Sequence, residues 1–277
     1  MHLMYHFGTM VRRMLEIASI FAEIFFYMKQ SDVPVEHLDD GLKFLPGVSI
    51  DCVIFGFHDR QLKVLLIRFR NTNLWALPGG YIHTEEDMDE AASRILEERT
   101  AVKNIYLEQF YTFGQRERVD INVQRKIVEA VGRRLLPTHW TTKRFVSVGY
   151  YALVDFMEVM PTPDITSDEC AWHGLDDMPD LVFDHSFIVQ KALEMLPLRL
   201  GSNLVSSNLL PETFTMQELQ SLYETIMGKK MLRANFQRKM LNLGVLKRVE
   251  KKFSGRAHKA PYLYRFDLKK GGKAFFP

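Results

Sequence analysis

The chain is poor in cysteine and has no long unbroken apolar run, and each shortage removes a class of protein. Two cysteines in 277 residues, Cys52 and Cys170, are too few for a disulfide framework, and neither stands in a C-x-x-C zinc pattern. A reducing cytoplasm is implied. The most apolar stretch, residues 17–27, is interrupted by Glu23 and falls short of the roughly 20 residues that cross a bilayer. No small-residue cleavage site of a secretory signal follows it. It reads as an accessory helix or as an extension from an upstream start codon, since Met28 is able to begin a complete domain, and no membrane partner is expected. Net charge is also small, +2, but the sum hides a division. Residues 1–200 hold 21 Lys and Arg against 29 Asp and Glu, whereas residues 201–277 hold 15 against 5. A basic tail on an acidic body points to nucleic acid as a partner.

What is present is an ordinary globular composition, 47% apolar and 25% charged, long enough for two domains. Residues 48–57 are mostly β-branched or aromatic, His58-Asp59-Arg60-Gln61 supplies a polar turn, and residues 62–68 are strongly apolar, which predicts a hairpin. Leu74-Trp75-Ala76-Leu77-Pro78-Gly79-Gly80 predicts a short strand running into a glycine loop, followed by a helix from near Glu86. Residues 107–113 and 145–156 are further strands. Between them lies a long connection, residues 115–144, in which Val123, Ile127, Val131 and Leu135 mark an amphipathic helix. It is a solvated surface helix, or it closes over a ligand, or it meets DNA or a partner subunit. Asp184 is placed to cap a helix running from His185 to about Leu196, and His185 is either a packing residue or part of a ligand site.

The segment from Gly80 to Val102 resembles the Nudix box, G-x5-E-x7-R-E-U-x-E-E-x-G-U, with U a bulky apolar residue, in the register set by Gly80, Glu86, Arg94, Leu96 and Val102. The resemblance implies that Glu86 and Arg94 brace the loop onto the helix, and that the glutamates of R-E-U-x-E-E hold divalent cations against a diphosphate. Here those three positions are Ile95, Glu98 and Arg99. Magnesium binds through oxygen, and one carboxylate stands where the family has three. A guanidinium about 5 Å from a divalent ion repels it by roughly 6 kcal/mol at an effective dielectric near 20. No catalytic residue, metal or cofactor is therefore expected. The alternative is an active Mg2+-dependent hydrolase of nucleoside-diphosphate derivatives that recruits Glu97 and Glu98, or Glu85 and Glu90, as substitute ligands. Glu97 and Glu98 project about 100° apart on a helix, which argues against it. The final Gly of the box is Ala101, so the helix is expected to end without a left-handed glycine cap.

After a polar linker at residues 198–210, Thr215 and Glu218 form a capping box, with Phe214 and Leu219 as its hydrophobic staple. Leu219, Leu222, Tyr223 and Ile226 recur at helical spacing up to Gly228. A second helix, residues 232–243, turns Leu232, Phe236, Met240 and Leu243 inward and Arg233, Asn235, Gln237, Arg238 and Lys239 outward. Strands at 245–253 and 261–267 follow, carrying Lys247, Arg248, Lys251 and Lys252, with Arg256 and Lys259 in their turn. Two helices and a basic hairpin describe a winged helix-turn-helix. Its second helix reads base edges in the major groove and its wing meets phosphates. A protein-binding winged helix is the alternative.

The degraded box, the Phe183-Asp184-His185 helix start and the run Leu209-Leu-Pro-Glu-Thr-Phe214-Thr-Met-Gln-Glu-Leu219-Gln-Ser-Leu-Tyr223-Glu together resemble the Nudix-related transcriptional regulators of bacteria, over about residues 44–268. The resemblance implies an α+β protein: a mixed-sheet α/β/α Nudix sandwich at 44–197 that binds an effector, then a winged helix at 211–270, with residues 1–43 as an N-terminal extension. It also implies a homodimer that holds double-stranded operator DNA and releases it on binding a small molecule. That effector is a pentose or other sugar in one branch and an ADP-ribose-like nucleotide in another. The sequence is more similar to the sugar-responsive, arabinose-type branch. Arg68, Trp75, Glu98, Arg99 and Phe113 are the expected effector contacts.

Overall fold

The computed structural model describes residues 43–101, 103, 106–199, 209–252 and 260–267. The N-terminal extension, Val102, most of the linker, and Arg256 and Lys259 lie outside the described residues.

Strand β1 (Phe44–His58) is the centre of the N-terminal module, and Ile50 to Gly56 are buried along it. Asp59 and Arg60, at φ 49° and 63°, form the two-residue turn to β2 (Gln61–Phe69), as a tight hairpin requires. The strands β3 (Trp75–Ala76) and β4 (Gly79–His83) complete that edge, β3 pairing with β2 and β4 with β1. Helix α1 (Met88–Thr100) follows, and β5 (Tyr106–Phe113) leads into helix α2 (Ile121–Ala130). After a single 3-10 turn at Trp140–Thr142, β6 (Val146–Val154) returns parallel to β1 and antiparallel to β5. Strand β7 (Ser167–Gly174), which the sequence pattern does not announce, pairs along the outer edge of β2, and α3 (His185–Arg199) closes the module. This is a mixed sheet with helices on both faces.

One face of the sheet buries Ile50, Cys52, Ile54 and Leu65 against Ala91, Ala92, Ile95 and Leu96 of α1. On the other face, Val53, Phe55, Val64, Leu66 and Tyr151 meet Ile188, Val189, Ala192 and Leu196 of α3. That second cluster continues without a break into Leu209, Leu210, Phe214, Leu219, Leu222, Tyr223, Phe236, Met240 and Tyr264 of the C-terminal module. The two modules therefore share one apolar core.

The C-terminal module consists of β8 (Phe214–Thr215), α4 (Met216–Met227), α5 (Arg233–Asn242), β9 (Leu246–Lys251) and β10 (Tyr262–Phe266), with β10 central in a three-stranded sheet. Thr215 and Glu218 form the expected capping box of α4, and Gly228 ends that helix at φ 63°. Among the described residues no helix is long and apolar enough to cross a membrane.

Helix α1 starts at Met88, close to the expected Glu86, where the Asp87–Glu90 capping box sets its first turn. Three expectations need correction. Helix α2 ends at Ala130, just before Gly132 at φ 75°, so Val131 and Leu135 fall beyond it. Leu232 does not point inward: it is 75% exposed, at the N-cap of α5. Finally, α1 does end in a left-handed cap, with Ala101 taking it at φ 58° and donating its N–H to Glu97 O at 2.8 Å.

A left-handed conformation strains an L-residue by about 1 kcal/mol or more, and glycine escapes that strain. Ala101→Gly should accordingly raise stability by about 1 kcal/mol in urea unfolding. An unchanged or lower midpoint would refute the assigned cap.

Candidate functional site

Helix α1 presents two faces with different fates. On its outer side Arg94 clasps Glu86, Nη2 to Oε1 at 2.6 Å and Nε to Oε2 at 3.0 Å, and Nη2 also donates to Tyr81 O at 2.9 Å. Glu86 in turn accepts from the His83 N–H at 2.7 Å. The Arg94 hydrogen bond, foremost, holds the Glu86 carboxyl below its usual range. This clasp ties β4 to the helix, and Glu98, about half exposed, joins it at 3.4 Å from Arg94.

The inner side carries no chelating set. Ile95 is buried, and its Cδ1 would lie 3.1 Å from a Cβ placed on Gly80, so its side chain fills the space beneath the loop. Arg99, one helical turn on, is buried too, and its Nη2 donates to Asp164 Oδ2 at 2.6 Å. Asp164 Oδ1 accepts from the N–H and hydroxyl of both Thr166 and Ser167, at 2.7–2.9 Å. Burial works to raise the Asp164 carboxyl, but the Arg99 hydrogen bond and charge, with Ser167 and Thr166, bring it down to about 2. Glu97 pairs with Lys103 at 2.9 Å, on a different side from Glu98. Among the described residues no three His, Cys, Asp or Glu side chains are grouped to hold a metal ion. The donor set thus does not fit magnesium.

A second constellation was missed in the sequence. Arg118, from the start of the 115–144 insertion, is buried between two carboxylates. It donates through Nε and Nη2 to Asp184 at 3.0 and 2.8 Å, and through Nη2 to Asp51 at 3.0 Å. Ser147 Oγ donates to the same Asp51 oxygen at 2.6 Å. His185 accepts the Leu77 N–H on Nδ1 at 2.9 Å. The neutral ring therefore carries its hydrogen on Nε2, 3.5 Å from Asp51 Oδ1. Burial foremost keeps His185 below its usual pKa, which favours that neutral form. The Asp184 carboxylate expected to cap α3 is thus engaged by Arg118. Gly79 passes so close that a Cβ there would stand 2.7 Å from Ile50 O and 2.8 Å from Asp51 Oδ1.

The far end of the insertion closes over the same loop. Trp140 packs its ring 4.7 Å from Tyr81, 5.8 Å from Phe44 and 5.8 Å from Phe145. Helix α2 spans the gap, with Val123 packed beside Ile67 and Ala76, and Ala130 O accepting from Asn71 Nδ2 at 2.9 Å. An open polar cavity of about 290 Å³ lies beside it, lined by Arg68, Asn71, Thr72, Asn73 and Asp168. Arg68 bonds Asp168 at 3.0 Å and Glu169 at 3.1 Å, and lies 5.9 Å over the half-buried Trp75.

Of the expected effector contacts, the structure brings together Arg68 and Trp75. Glu98 sits apart with Arg94. Arg99 is corrected, since its buried charge faces Asp164. Phe113 is corrected as well: it is 2% exposed, packed on Phe110, Tyr111 and Phe187, and belongs to the core.

In the C-terminal module Arg233, Asn235, Arg238 and Lys239 are exposed along α5 and Gln237 is half-buried, while Phe236 and Met240 anchor the helix inside. Arg238 reaches Asn235 at 3.3 Å. On the wing Lys247, Arg248, Lys251 and Lys252 are exposed. Arg248 lies 4.3 Å and Lys251 5.5 Å over the Tyr262 ring, and Lys252 pairs with Glu218 at 3.1 Å.

Two family models match the sequence: the NUDIX domain over residues 45–192 and the NrtR DNA-binding winged helix domain over residues 206–266. A curated relative, the ADPR responsive transcriptional repressor NtrR of Acinetobacter baylyi, is 31% identical over 231 residues, 80% of this chain and 83% of its own. The crystal structure of Shewanella oneidensis NrtR is similar at 30% identity and a TM-score of 0.62, over 81% of this chain and 95% of that one. Its complex with a 27mer DNA is similar at 28% identity and a TM-score of 0.63, over 80% and 94%. These relatives do not support the arabinose-type sugar branch that the sequence reading favoured.

Removing one partner of a buried ion pair leaves the other charge unpaired, at a cost of about 3–5 kcal/mol. Arg118→Ala should therefore destabilise the fold by about that much in urea, and loss below about 1 kcal/mol would show that the cluster bears no load. A depressed carboxyl contributes stability above its unfolded pKa, 3.8 for Asp164, and loses it as pH falls through the folded value. Asp164→Asn should cost roughly 2 kcal/mol at neutral pH, a gap that closes between about pH 4 and pH 2. A gap independent of pH would contradict the pairing.

Proposed function

This chain belongs to the Nudix-domain regulators that carry an NrtR-type winged helix, and from that premise we propose a cytoplasmic, homodimeric transcriptional regulator. In this reading it grips operator DNA through α5 and the β9–β10 wing. It releases the DNA when ADP-ribose, or a closely related nucleotide sugar, occupies the Nudix module. The observation that carries the reading is the joint state of the two modules. The Nudix scaffold is braced by Glu86–Arg94 while its metal positions hold Ile95 and an Arg99–Asp164 pair, and it shares a continuous core with a module whose exposed helix and wing are basic. The 31%-identical relative that responds to ADPR supports the nucleotide over the pentose.

The proposed effector site is the region of Arg68, Trp75 and the open cavity beside them, with the end of α2 held at its margin by the Asn71–Ala130 hydrogen bond. Arg68 supplies a guanidinium for a phosphate oxygen and Trp75 an aromatic face for a base or ribose. Release is a population shift: the ligand moves the equilibrium only by its difference in affinity for the DNA-competent and released forms, about 1–3 kcal/mol in typical cases. The shared core supplies the mechanical connection. Helix α4 packs against β2 and α3, and Thr225 Oγ1 donates to Arg60 O at 3.1 Å across the two modules.

ADP-ribose at about 100 times its dissociation constant should stabilise the folded chain by roughly 2.7 kcal/mol in a thermal-shift assay and weaken operator binding. Arabinose acting in its place would overturn the assignment of effector. Magnesium-dependent turnover of ADP-ribose and related nucleotide sugars should be absent, and fast turnover lost in Glu98→Gln would reinstate a hydrolase. Arg238→Ala and Lys251→Ala should both weaken operator binding. Only the first should change sequence preference, and only the second should act as a pure phosphate contact, lowering the salt slope by about 1. Binding unaffected by either would remove α5 and the wing from the interface.

A further inference from the structure

Leu232 is out of place both as a helix cap and as an exposed apolar side chain. Helix N-caps favour Ser, Thr, Asp and Asn, whose side chains accept from the first-turn amides. Leu232 takes that position on α5 with an extended backbone, φ −70° and ψ 121°, and makes no capping bond. Its side chain is 75% exposed, whereas Phe236 one turn later is buried. The backbone on which it stands is nonetheless tightly held. Met231 N–H donates to Glu224 Oε1 at 2.8 Å, Met231 O accepts from Gln220 Nε2 at 2.9 Å, and Leu232 O accepts from the Phe236 N–H at 2.9 Å. A fixed backbone thus projects an isobutyl group into solvent at the leading end of the helix, among exposed Lys229, Lys230 and Arg233.

An apolar tip ringed by cations fits a surface that offers methyl groups within a field of negative charge. Duplex DNA presents that combination in its major groove, where each thymine carries a 5-methyl group between flanking phosphates and side-chain apolar contact reads it. We propose that Leu232 is a specificity-determining residue that packs on the 5-methyl group of a thymine in the operator. The proposal rests on the DNA-binding reading above and adds a base identity to it. Exposure that serves no purpose in the isolated chain is then removed on binding, and the cap that a serine would provide is given up for a base contact.

The test begins with a duplex selected from a random-sequence pool by the full wild-type chain. Each thymine is then replaced singly by deoxyuridine, which pairs identically and lacks only the methyl. Wild type should lose about 4-fold in affinity at one position in each half-site, the worth of one buried methyl-sized group. Leu232→Ala, which removes the contact from both half-sites, should bind the unmodified duplex more weakly by about 16-fold or more and be indifferent to deoxyuridine at those positions. Leu232→Ser, which restores a capping hydroxyl, should raise the thermal unfolding midpoint while lowering affinity. That opposite movement separates a contact to DNA from a structural role. If wild type and Leu232→Ala show the same deoxyuridine profile, or if Leu232→Ser gains both stability and affinity, the leucine assignment fails although DNA binding stands. If wild type enriches no duplex, the DNA-binding reading itself fails, and this inference with it.

Discussion

A single buried guanidinium holds together parts of the Nudix module that the chain separates widely. Arg118 meets Asp51 on the central strand, 67 residues away, and Asp184 at the head of α3, 66 residues away. A buried ion pair adds little net stability compared with apolar packing, but it tolerates no mispositioning, because an unpaired buried charge costs several kcal/mol. The cluster therefore acts as a registration pin. It fixes where the insertion leaves β5, how α3 approaches the sheet and, through His185 and the Leu77 amide, where the chain enters the glycine loop. Gly79 follows from the same crowding: with Asp51 Oδ1 and Ile50 O where a side chain would begin, no larger residue fits without displacing β1.

The altered Nudix box obeys the same electrostatic logic. Absence of two of the three carboxylates from a helix face could have left a void beneath the loop. Instead Ile95 fills the volume under Gly80, and Arg99 turns a fixed positive charge inward onto Asp164, which four hydrogen bonds from Thr166 and Ser167 already orient. Arg99 Nε and Nη1 remain buried without a hydrogen-bond partner among the described residues, so the substitution is imperfect. The Glu86–Arg94 clasp on the opposite face does not depend on it, which explains how the loop keeps its shape while the inner face has changed chemistry.

Local patterns made most of the elements legible. The β1–β2 hairpin, the strand, glycine loop and helix order, the Thr215–Glu218 capping box and the basic wing all follow from spacing and turn chemistry within a few residues. What was missed depends on distant partners. Strand β7 reads Ser-Asp-Glu-Cys-Ala-Trp-His-Gly, which lacks β-branched alternation, and it is a strand because the outer edge of β2 binds it along its length. Arg118 is indistinguishable in the linear chain from its neighbour Arg116. The fate of Arg99 had a usable signal: it lies four residues after Ile95, on the stripe formed with Ala91, Ala92 and Leu96, so helical geometry alone placed it against the sheet. Leu232 failed for the opposite reason, since its spacing to Phe236 suits an inward face but its position before the first helical turn takes it off that face.

The continuous core bears directly on how the proposed regulation would operate. Were the winged helix tethered only by residues 200–208, ligand binding in the Nudix module would have no purchase on the orientation of α5. Strand β2 supplies that purchase. Arg68 and the cavity lie at one end, and at the other the hairpin turn offers Arg60 O to Thr225 of α4, about 27 Å apart at strand rise. Flanked by β1 and β7, β2 cannot stretch or slip by one residue without turning its buried side chains to the wrong face. In the proposed regulation, strain introduced near Arg68 would be relieved by tilting β2 as a unit, and helix α4 would tilt with it because Leu222 and Tyr223 are buried in the cluster that contains Val64 and Leu66. In the proposed dimer, a small tilt of each winged helix would change the spacing between recognition helices, the quantity to which a palindromic operator is sensitive.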